Sequence, residues 1–352
     1  MLRVGIPKAF LYHKYYPMWH TFFTKLGVEV VTSSNTTKEI LKEGVMNTID
    51  EACLPLKLYM GHILELSKMK VDYIFIPRFI SVEQYRFLCP KFLGLPDLVK
   101  SSLREHDLPP ILEPTINVRI NKNDFYMEVL KLASKFNKSP ITIYQAVSAA
   151  VDIHKKFKAA IHSGMDYSKA LHHYSKGFPT LKSQEKRSDQ SLSIAVIGHS
   201  YIIHDYQVSM NLIEKLEESG CTVKTTEMLT ETQIDEATNH LQKDLFWSLN
   251  RELIGGAFHH LDHKNIDGLI LVNAFSCGPD AITKELIERR YKRESDIPIL
   301  SITVDEHTGE AGFITRLEAF IDMIKRKAKG GTVDESDISA HGQLLRRDES
   351  VV

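Results

Sequence analysis

The same pattern opens both halves of this chain. Residues 2–6 form a short apolar run, residues 19–26 close a helical pattern, Gly27 stops it, and residues 28–31 are mostly β-branched. In the second half residues 192–197 are apolar, Gly198 follows, residues 208–218 are helical, Gly220 stops them, and residues 221–226 are the next strand. Gly5 and Gly27 lie 22 residues apart, and so do Gly198 and Gly220. Residues 71–76 then parallel residues 266–271, and an apolar run at 298–304 precedes a helical pattern at 312–327. Apolar strands interleaved with helices predict parallel sheets covered on both faces. The expected fold is α/β: two Rossmann-like, flavodoxin-like lobes with a helical insertion between them.

The predicted boundaries are an N-terminal α/β lobe over 1–123, a helical segment and linker over 124–191, and a C-terminal α/β lobe over 192–328. Within the first lobe, residues 33–37 form a polar break whose hydroxyls suit a helix N-cap, and residues 55–67 read as a helix. Residues 124–176 are rich in Lys, Ala, His and Tyr with helical spacing, and residues 182–191 are polar and charged, as a linker would be. From residue 329 to 352 the chain opens with Gly330-Gly331, loses periodicity and is expected to be a mobile tail.

Lys and Arg number 44 against 45 Asp and Glu, a formal charge of −1, which argues against a nucleic-acid coat or a polybasic membrane anchor. No apolar run approaches the roughly 18 residues that a membrane helix needs. The strand pattern starts at once after Met1, leaving no room for a signal peptide, so the expected location is the cytoplasm. Four cysteines in 352 residues make no disulfide framework; in a reducing compartment they are core thiols, metal ligands or catalysts.

The repeat sorts them. With Gly27 set on Gly220, Cys221 falls opposite Val28, at the start of a buried strand, and reads as a small core hydrophobe. Cys53, Cys89 and Cys277 lie in loops or at helix starts, each with a proline one or two residues on. Cys89 and Cys277 follow corresponding strands of the two halves, where open α/β sheets place ligands, and Cys53 opens a helix whose N–H groups favour a thiolate. Three such thiolates suit an iron–sulfur cluster or a zinc ion. Three unrelated structural cysteines are the other reading, and no C-x2-C pair decides between them.

The remaining candidates carry less chemistry. His172-His173 matches no metal pattern, and His259 and His263 share a helix face without the Glu of H-E-x-x-H, so solvated histidines are expected. No Walker A loop, no G-x-G-x-x-G after a strand and no G-x-S-x-G elbow occurs. Asp305-Glu306-His307 precedes a helix and reads as a cap, with acid–base work as the alternative.

Several segments, in order, resemble a known family. They are Gly5-Ile6-Pro7-Lys8-Ala9, Glu51-Ala52-Cys53-Leu54-Pro55-Leu56-Lys57 with Gly61-His62, and Ile76-Pro77-Arg78. Cys89-Pro90-Lys91 with Gly94-Leu95-Pro96-Asp97, Cys277-Gly278-Pro279-Asp280, Asp305-Glu306-His307-Thr308-Gly309-Glu310-Ala311-Gly312 and Thr315-Arg316-Leu317-Glu318 follow. Together they are similar to activase-related proteins of the 2-hydroxyacyl-CoA dehydratase and benzoyl-CoA reductase superfamily. The resemblance implies an iron–sulfur protein of anaerobic metabolism, with a 4Fe–4S cluster held between two lobes by Cys53, Cys89 and Cys277. It also implies a separate ATP-hydrolysing activase as partner, delivering low-potential electrons for transfer to a small-molecule or acyl-CoA substrate or a second protein. The alternatives are a non-catalytic accessory or scaffold protein with a structural metal site, and an α/β small-molecule-binding module without metal.

Overall fold

In the computed structural model, which describes residues 1–176 and 191–328 apart from the side chains of Lys122 and Ala328, the sequence repeat becomes a repeat of strand order. β1 (Arg3–Ile6) leads into α1 (Tyr12–Lys25), whose apolar face buries Met18, Trp19, Phe22 and Phe23. Gly27 ends that turn at φ +70°, a left-handed position that costs glycine little, and the chain returns as β2 (Glu29–Thr32). Thr37 caps α2 (Lys38–Met46) by accepting from the Ile40 N–H, as the polar break predicts. α3 (Leu54–Ser67) is apolar nearly all round and is correspondingly buried. β3 (Tyr73–Phe75), β4 (Arg78–Ser81), α4 (Pro90–Leu93), α5 (Leu95–Ser102), β5 (Ile111–Leu112) and β6 (Thr115–Asn117) complete this stretch.

Three helices follow, α6 (Lys122–Ser134), α7 (Pro140–His162) and α8 (Tyr167–Ser175), where helical spacing without strand signal is expected; α7 packs along α1. The second half opens with β7 (Ser193–Ile197), the short α9 (Ser200–Ile203), α10 (Leu212–Glu218) and β8 (Thr222–Thr225), which runs into a 3-10 turn at Thr226–Met228. α11 (Glu231–Thr238), α12 (Ser248–His263), β9 (Gly268–Ala274), α13 (Gly278–Glu294), β10 (Ile299–Val304) and α14 (Glu310–Ala328) finish it. Gly220 repeats the role of Gly27, at φ +82°.

The first sheet has the order β2-β1-β3-β5, and the second, read from its far edge, β8-β7-β9-β10. Every pairing in both is parallel, so β1 and β7 are the second strands of two separate sheets with one topology. A small parallel pair, β4-β6, lies outside both. The fold is α/β with parallel sheets and helices. One apolar cluster runs through Val4 and Ile74 of the first sheet and Val196 and Ile270 of the second, so the two sheets share a core.

Two expectations shift. The helix expected over 208–218 begins only at Leu212, because Met210 and Asn211 take φ of +50° and +61°, which no helix contains. His259 is buried rather than solvated, its ring stacked on His263 at 4.1 Å, while His263 is exposed. The expected tail from residue 329 and, but for Ser191, the expected linker lie outside the described residues.

Candidate functional site

Cys53, Cys89 and Cys277 each stand at the N-cap of a helix, α3, α4 and α13, with proline in the first two helical positions. Proline fits there because the missing N–H has no intrahelical partner to lose, and its fixed φ stiffens the loop that presents the sulfur. The three side chains, half-buried, line one cavity of about 30 Å3 together with Phe10, Tyr201 and Asp280. Cys277 follows β9, in the crevice beyond strand C-termini where open parallel sheets take ligands. Cys221 is elsewhere: 6 % exposed, immediately before β8, as a core thiol.

Backbone contacts fix the loops on one another. The Ser276 hydroxyl donates to the Glu51 carbonyl at 2.8 Å, tying the Cys277 loop to the Cys53 loop. Phe87 exchanges backbone hydrogen bonds with Phe246 and Ser248, at 3.1 and 2.9 Å, and so holds the Cys89 loop against the start of α12. Lys57, one turn into α3, forms a buried ion pair with Glu306 at 2.5 Å, joining Cys53's helix to the loop after β10.

Burial pushes all three thiols above their ordinary pKa, Cys277 furthest, since its neighbour Asp280 adds a negative charge. The backbone N–H groups of Leu56, Lys91 and Asp280 act the other way on Cys53, Cys89 and Cys277, as helix N-termini do, but burial outweighs them. Asp280 is itself held low: burial opposes its charge, yet the His199 charge and hydrogen bond, and the Asn250 amide, favour it. His199 Nε2 is 2.7 Å from Asp280 Oδ1, Asn250 Nδ2 donates to the same oxygen at 3.1 Å, and Tyr201 stacks on His199 at 4.9 Å. The site is therefore three neutral thiols in a mostly apolar chamber, with one ionised, fully partnered carboxylate behind Cys277.

The structure thus brings Cys53, Cys89 and Cys277 to one cavity and leaves Cys221 out. The sequence reading missed His199, Asn250 and Tyr201. Setting Gly198 on Gly5 puts His199 at the end of a strand, a signal for a site-facing residue that went unused. Asp305-Glu306-His307 is a turn rather than an acid–base group. Asp305 Oδ1 accepts from the His307 N–H and the Thr308 hydroxyl, at 2.9 and 2.7 Å, and Glu306 is committed to Lys57.

Among the described residues, no group of three or more His, Cys, Asp or Glu side chains is arranged to hold a metal ion. No helix there is long and apolar enough to cross a membrane. Among solved structures, the chain is similar at 10% identity and a TM-score of 0.21 to a periplasmic solute-binding protein of an ABC transporter from Actinobacillus succinogenes, with bound D-allose. That likeness covers 95% of this chain and 94% of the other. No curated protein matches. The family model of the CoA enzyme activase uncharacterised domain matches residues 3–229. This match and the metal finding correct the expected role as the iron–sulfur acceptor of an activase's electrons, and with it the structural-metal alternative. The matched model is that of a CoA enzyme activase domain. With more than half of its length matched, the chain belongs to the CoA enzyme activase uncharacterised domain family.

Proposed function

We propose that this chain is the thiol-bearing component of an activation system for a CoA-linked enzyme, working beside an ATP-hydrolysing unit and preparing a dehydratase-like partner for turnover. The observation that supports it is the meeting of Cys53, Cys89 and Cys277 in one cavity of an activase-family chain. The finer placement, near the 2-hydroxyacyl-CoA dehydratase and benzoyl-CoA reductase superfamily, belongs to the same proposal, and any acyl-CoA is then the partner's substrate. So does the division into lobes over 1–123 and 192–328, separated by 124–191.

The cofactor proposed for the three sulfurs is an iron–sulfur cluster. The donor type suits it, three soft sulfurs from separate loops, each beside a helix N-terminal N–H that offsets thiolate charge, although as folded they are not grouped as a metal site. Such a cluster supplies one-electron chemistry when bound. The chain's own part is to position and to shield. Asp280, gripped by His199 and Asn250, orients Cys277, while Phe10, Phe92 and Tyr201 pack on one another around the chamber and keep water out.

The test is anaerobic incubation with ferrous iron and sulfide, counting both per chain. Cys53→Ser, Cys89→Ser and Cys277→Ser should each lose bound iron, and Cys221→Ala should keep it. Equal iron in the triple serine variant would remove the cofactor from the proposal. The activase-side role is read separately, as turnover of a 2-hydroxyacyl-CoA dehydratase supplied with ATP and reductant. Turnover that does not change when this chain is added would end it.

A further inference from the structure

A second cavity, of about 420 Å3, lies where α1, α7 and the turn after β8 come together, and shares no lining residue with the cysteine chamber. Both halves and the helical stretch between them build it, through Trp19 of α1, Phe79 of β4, Phe157 of α7 and Ile234 of α11. Small-molecule pockets run from about 300 to about 1,000 Å3 and favour places where units of a fold meet. An apolar cavity of about 150 Å3 takes one benzene ring, so this one has room for two or three rings.

Its surface is mainly apolar, and no charge in its wall stands unmatched away from water. Each of its four glutamates has a counter-charge: Glu83 pairs with Arg86, Glu227 with His204, Glu231 with Lys158 and Glu252 with Lys14. Of the remaining bases, Arg251 pairs with Asp235 and Lys155 is exposed to solvent. Burial holds His13 and His154 far below the ordinary imidazole pKa, at about 3 and about 4, so both are neutral at pH 7, and it lowers His162 as well. Tyr167, Thr226 and Ser248 also line the cavity, but their hydroxyl oxygens are buried, so these side chains show it carbon.

We infer that this cavity binds an uncharged aromatic molecule of two or three rings, mostly hydrocarbon, held by packing and by removal of its apolar surface from water. Aromatic walls suit such a ligand, because rings pack edge to face or offset on one another, here on Trp19, Phe79 and Phe157. An ionised ligand would give up its hydration for a wall whose charges are already matched, and burying a charge without a counter-charge is costly. A polyol would leave hydroxyls facing carbon, each without a hydrogen bond.

The probe is N-phenyl-1-naphthylamine, an uncharged three-ring molecule that fluoresces in apolar surroundings, titrated into the full chain. Saturable binding at one site is expected, with tryptophan emission quenched as the probe's rises. 8-Anilino-1-naphthalenesulfonate carries the same rings and one sulfonate, and should bind about tenfold more weakly or worse. Val82→Phe and Val151→Phe fill the cavity from two different walls, and each should weaken the uncharged probe by about tenfold. Ile141→Ser, at an exposed apolar residue outside the cavity, should leave binding unchanged, which separates the site from adsorption to the surface. Circular dichroism checks the fold of each variant, and the comparison of the two probes on the parent chain needs no variant at all. No saturable binding of the uncharged probe overturns the inference. So does a sulfonate that binds as well, binding indifferent to both phenylalanines in folded variants, or binding lost with Ile141→Ser.

Discussion

Lys57 is 3 % exposed, and its ammonium finds its counter-charge in Glu306, 249 positions along the chain. Removing one member of such a pair leaves the other charge stranded, which is costlier than losing the pair's own attraction. Glu306→Gln is expected to lower unfolding free energy by about 3 kcal/mol, and Lys57→Met with Glu306→Leu to recover most of that. The check is the guanidinium midpoint of each variant. The pair also fixes a pH dependence. Burial opposes the Glu306 charge, but the Lys57 hydrogen bond and charge hold its folded pKa below the ordinary carboxylate value. A depressed acid contributes stability that is full above its unfolded pKa and lost as pH falls through the folded one. Acid titration of stability should therefore be shallower below the ordinary Glu range in Lys57→Met with Glu306→Leu than in the parent. The cysteines were legible in the sequence because each sits in a local loop-and-proline setting. The support of Cys277 was not, since His199 and Asp280 are 81 positions apart and nothing local marks them as partners.

At the scale of elements, α2 and α3 cross with their backbones almost touching. A Cβ added at Gly61 would lie 2.0 Å from the Ile40 carbonyl oxygen, and one at Gly44 1.9 Å from that of Lys57. Carbonyls inside helices have nowhere to retreat, so the helices must part. Gly61→Ala is expected to destabilise the protein by about 3 kcal/mol, the upper part of the usual overpacking cost. Gly94→Ala is the control: its Cβ would meet nothing closer than 3.6 Å, and its midpoint should stay within about 0.5 kcal/mol of the parent. Because α3 carries both Cys53 and Lys57, Gly61→Ala should also weaken iron retention after incubation with ferrous iron and sulfide. The strands of both sheets other than the two-residue β5, and helices such as α1, α3 and α14, were readable as periodicity and glycine stops. The β4-β6 pair was not, since strands of four and three residues carry too little alternation, and the start of α10 was hidden by a left-handed pair that composition does not announce.

At the scale of the whole molecule, the sequence repeat suggests two halves, yet the packing ties them into one unit. The shared apolar cluster contains strand residues from both sheets. Side chains bridge the halves at several points: Lys57 to Glu306, Lys14 to Glu252, Arg86 to Asp244 and Thr36 to Asp205. Backbone pairing of Phe87 with the start of α12 adds a bridge beside Cys89. Exposing either sheet alone would uncover apolar surface at a cost of about 25 cal/mol for each Å2, so neither half should persist once the other unfolds. The expected outcome is one cooperative transition. Trp247→Phe leaves Trp19 as the single tryptophan, inside the first half, and removes an indole N–H that has no partner, so the substitution should be mild. In that variant, guanidinium unfolding followed by Trp19 fluorescence should coincide with unfolding followed by far-ultraviolet circular dichroism, which reports helices of both halves. Separated midpoints would mean that the halves melt independently. The cysteine chamber would then have to assemble between two units already folded, rather than form with the common core.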